Sequence, residues 1–320
     1  MPDYYRRVIR IRAEDSPNVQ LGLQQQSRGK EVTYEELIPG VLSYAEYVRR
    51  RATWDKIRQC IGLDGVFYEG AELLLYPPEW LNLAEQRAGQ IKGQRRTART
   101  MGVDSAMGGD NTSWAVVDRL GLIHLVSMKT PDTTEITGKT IALIREYNLN
   151  PNNVLFDYGG GGKAHADRLR KQGFNVRTVG FGESARPEKR RVIGTLEQRK
   201  LEEETRFAYK NRRAEMYHRL RLLLDPSEGE PFALPAKLIN KSREDGGPSL
   251  RSQLAPIPLW HDEEGRIYLP SKQRRPDQKD TGRKTLKEII GCSPDEADAL
   301  VLATYGLERR TVRMTAGAVK

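Results

Sequence analysis

Three short hydrophobic runs between residues 100 and 130 follow one another with only turns between them. They cover Met101–Asp104, Ser113–Asp118 and Leu122–Met128, and the turn Arg119-Leu120-Gly121 separates the last two. Runs of this length, bounded by glycine and polar residues, are typical of β-strands. Because they succeed one another so closely, the pattern predicts an antiparallel meander.

After this meander, segments with helical spacing alternate with short apolar runs. The pattern predicts a helix over Gly138–Tyr147, a buried strand over Val154–Asp157, a helix over Ala164–Gln172 and a strand over Val176–Val179. The order βββαβαβ predicts an α/β fold whose mixed sheet combines the antiparallel meander with parallel strands and is flanked by helices.

The last third of the chain is predicted to be helical with one hairpin. The closing helix is expected to have Ser293 as its N-cap and Pro294 at its first position. The predicted elements are a helical region over Thr195–Leu224, hairpin strands over Pro256–Leu259 and Arg266–Leu269, and the closing helix over Asp295–Leu307.

Residues 1–95 have a different pattern from the part that follows. A charged helix is predicted over Tyr44–Ile57, and Pro77-Pro78 interrupts the chain before another helix. The basic run 92–99 then precedes the first strand of the meander. We therefore predict an N-terminal segment over 1–95, a main domain over 96–310 and a tail over 311–320.

Acidic residues stand at the ends of two predicted strands and at the start of the last helix. Asp104 ends the first strand, Asp157 ends the fourth, and Asp295 and Asp298 share one face of the closing helix. Taken singly, each aspartate also suits a turn or a helix cap. Together they predict a site for two divalent cations, Mg²⁺ or Mn²⁺, since several carboxylates held close together need metal between them. Asp110 is a weaker candidate ligand.

The formal net charge of +10 favours a polyanionic partner, because a basic field attracts phosphates. The glycine run 159–162 follows a strand and precedes a helix, so it suits either approach to a phosphate or a tight turn. The basic loop 272–284 suits either a phosphate clamp or a solvated surface. The predicted DNA contacts are Lys163, Arg212, Arg213, Lys272, Arg274, Arg275, Lys279, Arg283 and Lys284.

Several other classes of function are disfavoured by the sequence. Cys60 and Cys292 lie far apart, which predicts neither a zinc site nor a disulfide framework. Gly138-Lys139-Thr140 lacks the upstream glycine of a phosphate loop, so no ATP site is expected. No segment has the apolar length of a membrane span or the apolar core of a signal peptide, which predicts a soluble, intracellular protein.

Four segments, in this order, resemble the nuclease domain of the large terminase subunit of tailed bacteriophages. They are GVDSAMGGDNTSWAVVD, LFDYGGGGKAHADRL, NRRAEMYHRL and SPDEADALVLATYG. The resemblance covers roughly Arg99–Leu307. Residues Ile9–Leu81 resemble the end of the ATPase domain that precedes this nuclease, although the Walker motifs of that ATPase are missing. We therefore expect the chain to be a C-terminal portion, or a split or truncated form, of such a protein.

The resemblance implies a ribonuclease H-like fold and an endonuclease that cuts concatemeric double-stranded DNA with little sequence specificity. It implies catalysis by two divalent cations held by Asp104, Asp157 and the Asp295/Asp298 pair. The implied partners are double-stranded DNA, the terminase small subunit, the portal protein and an ATPase motor domain, in the host cytoplasm. Two alternatives stay open: a Holliday-junction-resolvase-like nuclease, which would share the acidic site, and a non-catalytic DNA-binding module, which would keep the basic loop but show no metal-dependent cutting.

Overall fold

The chain forms two compact units, Met1–Ala71 and Glu72–Lys320. The computed structural model describes residues 10–34, 36–54, 59–60, 62–65, 74–106, 110–186, 208–243, 245–262, 264–274 and 284–307. The division lies earlier than the boundary predicted at the basic run 92–99. The physical reason is the helix Pro78–Gln90, whose Leu81 and Ala84 are buried in the core of the second unit.

The first unit is helical in its described part. A short 3-10 turn, Ala13–Asp15, precedes α1 (Pro17–Ser27) and α2 (Tyr44–Thr53). Ser43 caps α2 by accepting a hydrogen bond from the amide of Glu46, which fixes the start of this helix where the sequence predicts it. The predicted end of the helix, residues 55–57, lies outside the described residues. The core of this unit consists of Val19, Tyr44, Tyr47 and Leu63.

The second unit has a five-stranded sheet between two sets of helices, and a separate two-stranded hairpin. Its elements are α3 (Pro78–Gln90), β1 (Thr100–Asp104), β2 (Asn111–Val117), β3 (Leu122–Lys129), α4 (Thr133–Glu146), β4 (Val154–Asp157), α5 (Gly162–Lys171), β5 (Arg177–Val179), α6 (Arg212–Leu224), α7 (Ala236–Ile239), α8 (Leu250–Leu254), β6 (Trp260–His261), β7 (Ile267–Tyr268), α9 (Leu286–Ile290) and α10 (Asp295–Gly306).

The strand order of the sheet is β3-β2-β1-β4-β5. The pairs β1–β2 and β2–β3 are antiparallel, whereas β1–β4 and β4–β5 are parallel. The predicted mixed sheet, a meander extended by parallel strands, is confirmed. Each face of the sheet buries its own hydrophobic core, and the two sets of helices supply the opposite sides of these cores.

Helix α10 packs directly against the middle of the sheet. All of its residues are buried, which explains its largely apolar sequence after the first turn. Close approach is possible because β1 carries Gly102, where a Cβ would meet backbone atoms of Ala299 and Ala303. The Thr100 hydroxyl donates a hydrogen bond of 2.7 Å to the Ala303 carbonyl. These contacts place the first turn of α10 beside the carboxyl end of β1.

The start of α10 is capped differently from the sequence prediction. Pro294 occupies the N-cap position, and no side chain next to it in sequence caps the helix. Instead, the side-chain oxygen of Gln253 in α8 accepts hydrogen bonds from the amides of Glu296 and Ala297. The prediction of Ser293 as N-cap was therefore wrong, because a distant amide side chain satisfies these donors.

Several element boundaries differ from the predictions. Helix α4 begins at Thr133, since Asp132 accepts a hydrogen bond from the Thr134 amide, so Gly138-Lys139-Thr140 lies inside a helix. The hairpin is confirmed, although its first strand is Trp260–His261 and not Pro256–Leu259. Of the helical region predicted over Thr195–Leu224, residues 195–207 lie outside the described residues, as does the tail 311–320. No helix in the described ranges combines the length and the apolar content that crossing a bilayer would require.

Candidate metal centre

Asp104 and Asp157 lie side by side at one edge of the sheet. Strands β1 and β4 are parallel neighbours, with Val103 opposite Phe156, and each strand ends at its aspartate. The carboxyl ends of parallel strands meet at the same edge, which is where such sheets bind ligands. Asp104 is 7% exposed and Asp157 is half-buried. The predicted neighbourhood of these two strand ends is confirmed.

Helix α10 brings Asp298 to the same place. An ammonium group joins it to Asp104: Lys272 Nζ lies 3.0 Å from Asp298 Oδ2 and 3.6 Å from Asp104 Oδ2. Lys272 was predicted to contact DNA as part of the basic loop. In the structure its ammonium group lies between the buried carboxylates of Asp104 and Asp298, because their negative charges attract it.

Asp295 is one turn earlier in α10 and faces a different neighbour. Its Oδ2 lies 3.2 Å from Arg243 Nη1. It also lines a polar cavity of about 350 Å³. Asp110, the weaker predicted ligand, lines the same cavity but is exposed and pairs with Lys287 at 3.1 Å. The predicted acidic set is therefore brought into one region, with Asp104 and Asp298 closest to a common cation.

The electrostatics of the region reflect crowded negative charge. Burial raises the pKa of Asp104 well above its ordinary value, and the charges of Asp298, Asp295 and Asp157 raise it further. Burial also raises the pKa of Asp157, with a contribution from Asp298. Burial raises the pKa of Asp295 to about 6. These carboxylates repel one another, so positive charge among them is stabilising.

Asp298 is the exception among the four carboxylates. Burial alone would raise its pKa, but the positive charges of Arg213 and Lys272 hold the pKa below its ordinary value. The hydroxyl of Tyr217 also lowers it by donating a hydrogen bond of 2.6 Å to Oδ1. Asp298 is thus held ionised in the core, at 1% exposure.

The carboxylate oxygens of this region are ligands of the kind that a hard divalent cation takes. In the structure, the side chains of Lys272 and Arg243 form ion pairs with them. No three His, Cys, Asp or Glu side chains in the described part of the chain are arranged to hold an ion together. Lys272 and Arg243 supply the positive charge there instead. Carboxylate oxygens are the ligands that Mg²⁺ and Mn²⁺ prefer. Asp104, Asp157, Asp298 and Asp295 remain the predicted ligands.

The raised pKa of Asp295 predicts how metal-free stability depends on pH. Because the folded state binds more protons than the unfolded state between about pH 4 and pH 6, stability should fall as pH rises through this window and then level off. Between pH 4.5 and pH 7.5, the free energy of unfolding of Asp295→Asn should therefore fall by about 2 kcal/mol less than that of wild type. Thermal melting in chelator at pH 4.5, 6 and 7.5 measures it. An equal slope for both proteins would contradict the raised pKa.

The described residues of the predicted DNA-contacting set lie in several environments. Lys163 is exposed on α5 and pairs with Asp167 at 2.9 Å. Arg274 is exposed 3.4 Å from Glu288, and Lys284 is exposed at the other end of the same loop. Between these two, Arg275, Lys279 and Arg283 lie outside the described residues. Lys163, Arg274 and Lys284 are exposed, as a phosphate contact requires, and their contact with DNA stays a prediction.

Arg212 and Arg213 differ from this expectation. Arg213 is 8% exposed, and its Nη2 donates a 3.1 Å hydrogen bond to Asp298 Oδ1. Arg212 donates to the Ser184 carbonyl and to the Tyr305 hydroxyl. The adjacent basic residues suggested a surface patch, but α6 packs against the core, so Arg213 pairs with the buried Asp298 and Arg212 donates to other groups of the protein. Arg213 therefore does not present a surface contact for DNA.

Sequence reasoning did not find three residues that shape this region. Tyr217 is a core residue of α6, yet its hydroxyl also contacts Asp298. Arg243 and Gln253, which contact Asp295 and the start of α10, carried no signal. Both lie more than 40 positions before their partners. No local pattern encodes such long-range pairs.

The glycine run next to Asp157 has a steric explanation. Gly160 has φ of +57°, a region that favours glycine, and a Cβ there would lie 2.7 Å from the Ser105 carbonyl oxygen. A Cβ at Gly159 would lie 3.0 Å from Asp157 Oδ2. The run thus allows the β4–α5 loop to fold tightly over the ends of β1 and β4. This supports the tight-turn interpretation and leaves phosphate binding a prediction.

Solved structures with this fold include the nuclease domain of the large terminase subunit gp2 of bacterial virus Sf6. It matches with a TM-score of 0.52 and 17% identity over 72% of this chain and 98% of that domain. A variant of that domain with manganese and beta-thujaplicinol gives the same values. A variant of gp2c from bacteriophage Sf6 with calcium gives a TM-score of 0.50 and 18% identity over 72% of this chain and 99% of that chain.

No protein-family model matches the chain, and no curated protein matches it significantly. The likeness to the Sf6 domain extends over nearly all of that domain, so it concerns a whole fold and not a shared motif. At this level of identity the likeness establishes the fold alone. The mixed α/β fold that the sequence predicted is confirmed: this chain has an α/β fold similar to that of the solved nuclease domain of the Sf6 large terminase subunit.

Proposed function

We propose that this chain is a metal-dependent DNA endonuclease of the terminase type, which cuts concatemeric double-stranded DNA with little sequence specificity. The observation that carries the proposal is the pair Asp104 and Asp298 sharing one ammonium group, beside Asp157 at the carboxyl edge of the sheet. The likeness to domains that are described as nucleases, some with manganese or calcium, supports it.

The chemistry follows from these carboxylates. Two bound divalent cations would activate a water for in-line attack on phosphorus and stabilise the charge on the leaving oxygen. Asp104, Asp157 and Asp298 would hold them, with Asp295 as a further ligand. Burial of Asp104 and Asp298 excludes water from this side of the site and strengthens their charge interactions. No histidine general base is needed in such a site.

The basic character of the chain supports DNA as the substrate. The net charge is +10, and Lys163, Arg274 and Lys284 are exposed. Contacts of this type reach phosphates and carry no base information, so cutting should be largely independent of sequence. By its resemblance to terminases, the chain is also expected to act with a small subunit, a portal protein and an ATPase motor domain.

A cleavage assay on three substrates tests the proposal. The purified chain should cut linear and supercoiled DNA in Mn²⁺ and should cut neither in chelator. Preferential, paired nicking of a four-way junction would indicate a resolvase-like nuclease instead. Binding of all substrates without any metal-dependent cutting would indicate a non-catalytic DNA-binding module. Each of these two results would contradict the proposal.

Removing Lys272 should strengthen metal binding. Its ammonium group shares Oδ2 of both Asp104 and Asp298, so it competes with a cation for the same oxygens. We expect Lys272→Met to bind Mn²⁺ about tenfold more tightly in calorimetry. Lys163→Met is the matched control, because Lys163 is exposed and pairs with Asp167. Unchanged or weaker Mn²⁺ binding by Lys272→Met would show that the lysine does not compete.

A further inference from the structure

The carboxylate of Asp298 is held from behind by groups of helix α6. Its Oδ1 accepts hydrogen bonds from Tyr217 Oη at 2.6 Å and from Arg213 Nη2 at 3.1 Å. Its Oδ2 accepts one from Lys272 at 3.0 Å and a longer one from Arg213 Nη2 at 3.4 Å, and this is the oxygen that shares the ammonium group with Asp104. The two oxygens therefore have different surroundings: Tyr217 donates only to Oδ1, and the Lys272 ammonium group, which also contacts Asp104, lies at Oδ2.

Tyr217 is itself fixed in place. It is fully buried, and its carbonyl accepts a hydrogen bond of 2.8 Å from the hydroxyl of Tyr76, which is also fully buried. The guanidinium of Arg213 lies over the ring of Tyr217, 5.5 Å from its centre, and 5.7 Å from the ring centre of Phe181. Because this side chain is fully buried and packs against Arg213, it cannot change rotamer without displacing its neighbours. The hydroxyl of Tyr217 thus presents a fixed donor to Asp298.

The arrangement suits the orientation of a ligand and is ill suited to binding substrate. Both Tyr217 and Arg213 are buried, so neither reaches a phosphate. Groups behind a metal ligand fix its direction and keep it ionised, and their loss weakens metal binding. Here the Tyr217 hydroxyl binds Oδ1, the Arg213 guanidinium lies closer to Oδ1 than to Oδ2, and Oδ2 faces the Lys272 ammonium group that it shares with Asp104.

We propose that Tyr217, with Arg213, is a positioning residue that fixes Asp298 with Oδ2 directed toward Asp104, ready to bind a divalent cation. The proposal rests on the proposed metal-dependent function, and it deepens it by assigning the residues that orient the ligand on α10. Arg213 accordingly acts through Asp298 and makes no contact with DNA.

Calorimetric titration of the intact chain with Mn²⁺ tests this. Tyr217→Phe keeps the ring and its packing but removes the donor to Asp298. We expect Mn²⁺ affinity to fall 10- to 100-fold. Affinity for DNA in chelator should stay unchanged, since the residue is buried. Cleavage should recover at high Mn²⁺ concentration, because the carboxylate is still present.

Tyr305→Phe is the matched control. Tyr305 is also buried, and its hydroxyl also makes a side-chain hydrogen bond, which it accepts from Arg212. It lies near the end of α10, away from the carboxylates. Tyr305→Phe should lower the melting temperature, as Tyr217→Phe does, because a hydrogen bond is lost. Its Mn²⁺ affinity should nevertheless stay within about twofold of wild type. A purely structural role for Tyr217 predicts equal affinities for the two variants, which would overturn the proposal.

The outcomes separate the two proposals. If wild type binds no Mn²⁺, the proposed function fails and this inference fails with it. If wild type binds Mn²⁺ and Asp298→Asn does not, but Tyr217→Phe binds as tightly as wild type, this inference alone is overturned. Should Tyr217→Phe not fold, Arg213→Lys tests the same role, because it keeps the charge but removes the planar group. Unchanged Mn²⁺ affinity of that variant would then overturn the proposal.

Discussion

Asp104→Asn is expected to abolish metal-dependent DNA cleavage while leaving the protein folded. The substitution keeps the size of the side chain but removes the negative charge of Asp104, which lies near the same Lys272 ammonium group as Asp298. We expect the cleavage rate in Mn²⁺ to fall more than about 100-fold, beyond the loss caused by groups that merely orient a ligand. A gel assay of linear DNA at matched protein and Mn²⁺ concentrations measures it, and Asp157→Asn should behave alike.

The same variant should be at least as stable as wild type without metal. Burial and three neighbouring carboxylates raise the pKa of Asp104, so its charge opposes folding at neutral pH. The ammonium group of Lys272 offsets part of this effect, so neutralising Asp104 should leave the free energy of unfolding in chelator unchanged or raise it. Asp132→Asn is the control, since Asp132 is exposed at the start of α4 and asparagine also caps helices. Retained cleavage by Asp104→Asn, or equal loss in Asp132→Asn, would contradict this assignment of the site.

Gly102→Val is expected to have the largest effect on stability. A Cβ at this position would meet the Ala299 carbonyl and the Ala303 amide, and would lie 2.8 Å from the Leu302 Cβ. Backbone atoms of a packed helix cannot move aside as a flexible side chain can, so α10 would have to shift away from β1. We expect a loss of at least about 3 kcal/mol, measured by urea unfolding. Because α10 carries Asp295 and Asp298, cleavage should fall as well.

Gly138→Ala is the matched control for this prediction. Gly138 lies exposed inside α4, and a Cβ there would meet nothing within 4 Å. Replacing it should increase the free energy of unfolding by about 0.5–1 kcal/mol, because alanine loses less backbone entropy in a helix. If Gly102→Val were as stable as wild type, the close packing of β1 on α10 would be refuted.

Much of the fold was predictable because it rests on local patterns. The meander followed from three apolar runs separated by short turns, and the parallel strands followed from runs that helical segments separate. The start of the closing helix was less predictable, since a distant side chain caps it. The start of α10 depends on Gln253, and no pattern near Ser293 reveals that amide. The division of the chain also differed, because the burial of Leu81 is a tertiary property.

The sequence by itself determined which acidic residues lie at the edge of the sheet. Periodicity placed Asp104 and Asp157 at the ends of their strands, and the pairing of β1 with β4 in the sheet then brings these ends together. The tertiary structure alone decided what each carboxylate contacts. It directed Arg213 inward to Asp298, placed Lys272 between Asp298 and Asp104, and set the Tyr217 hydroxyl behind them. The physical reason is that periodicity specifies which face of an element is buried, whereas the partner of a buried charge depends on which element packs against that face.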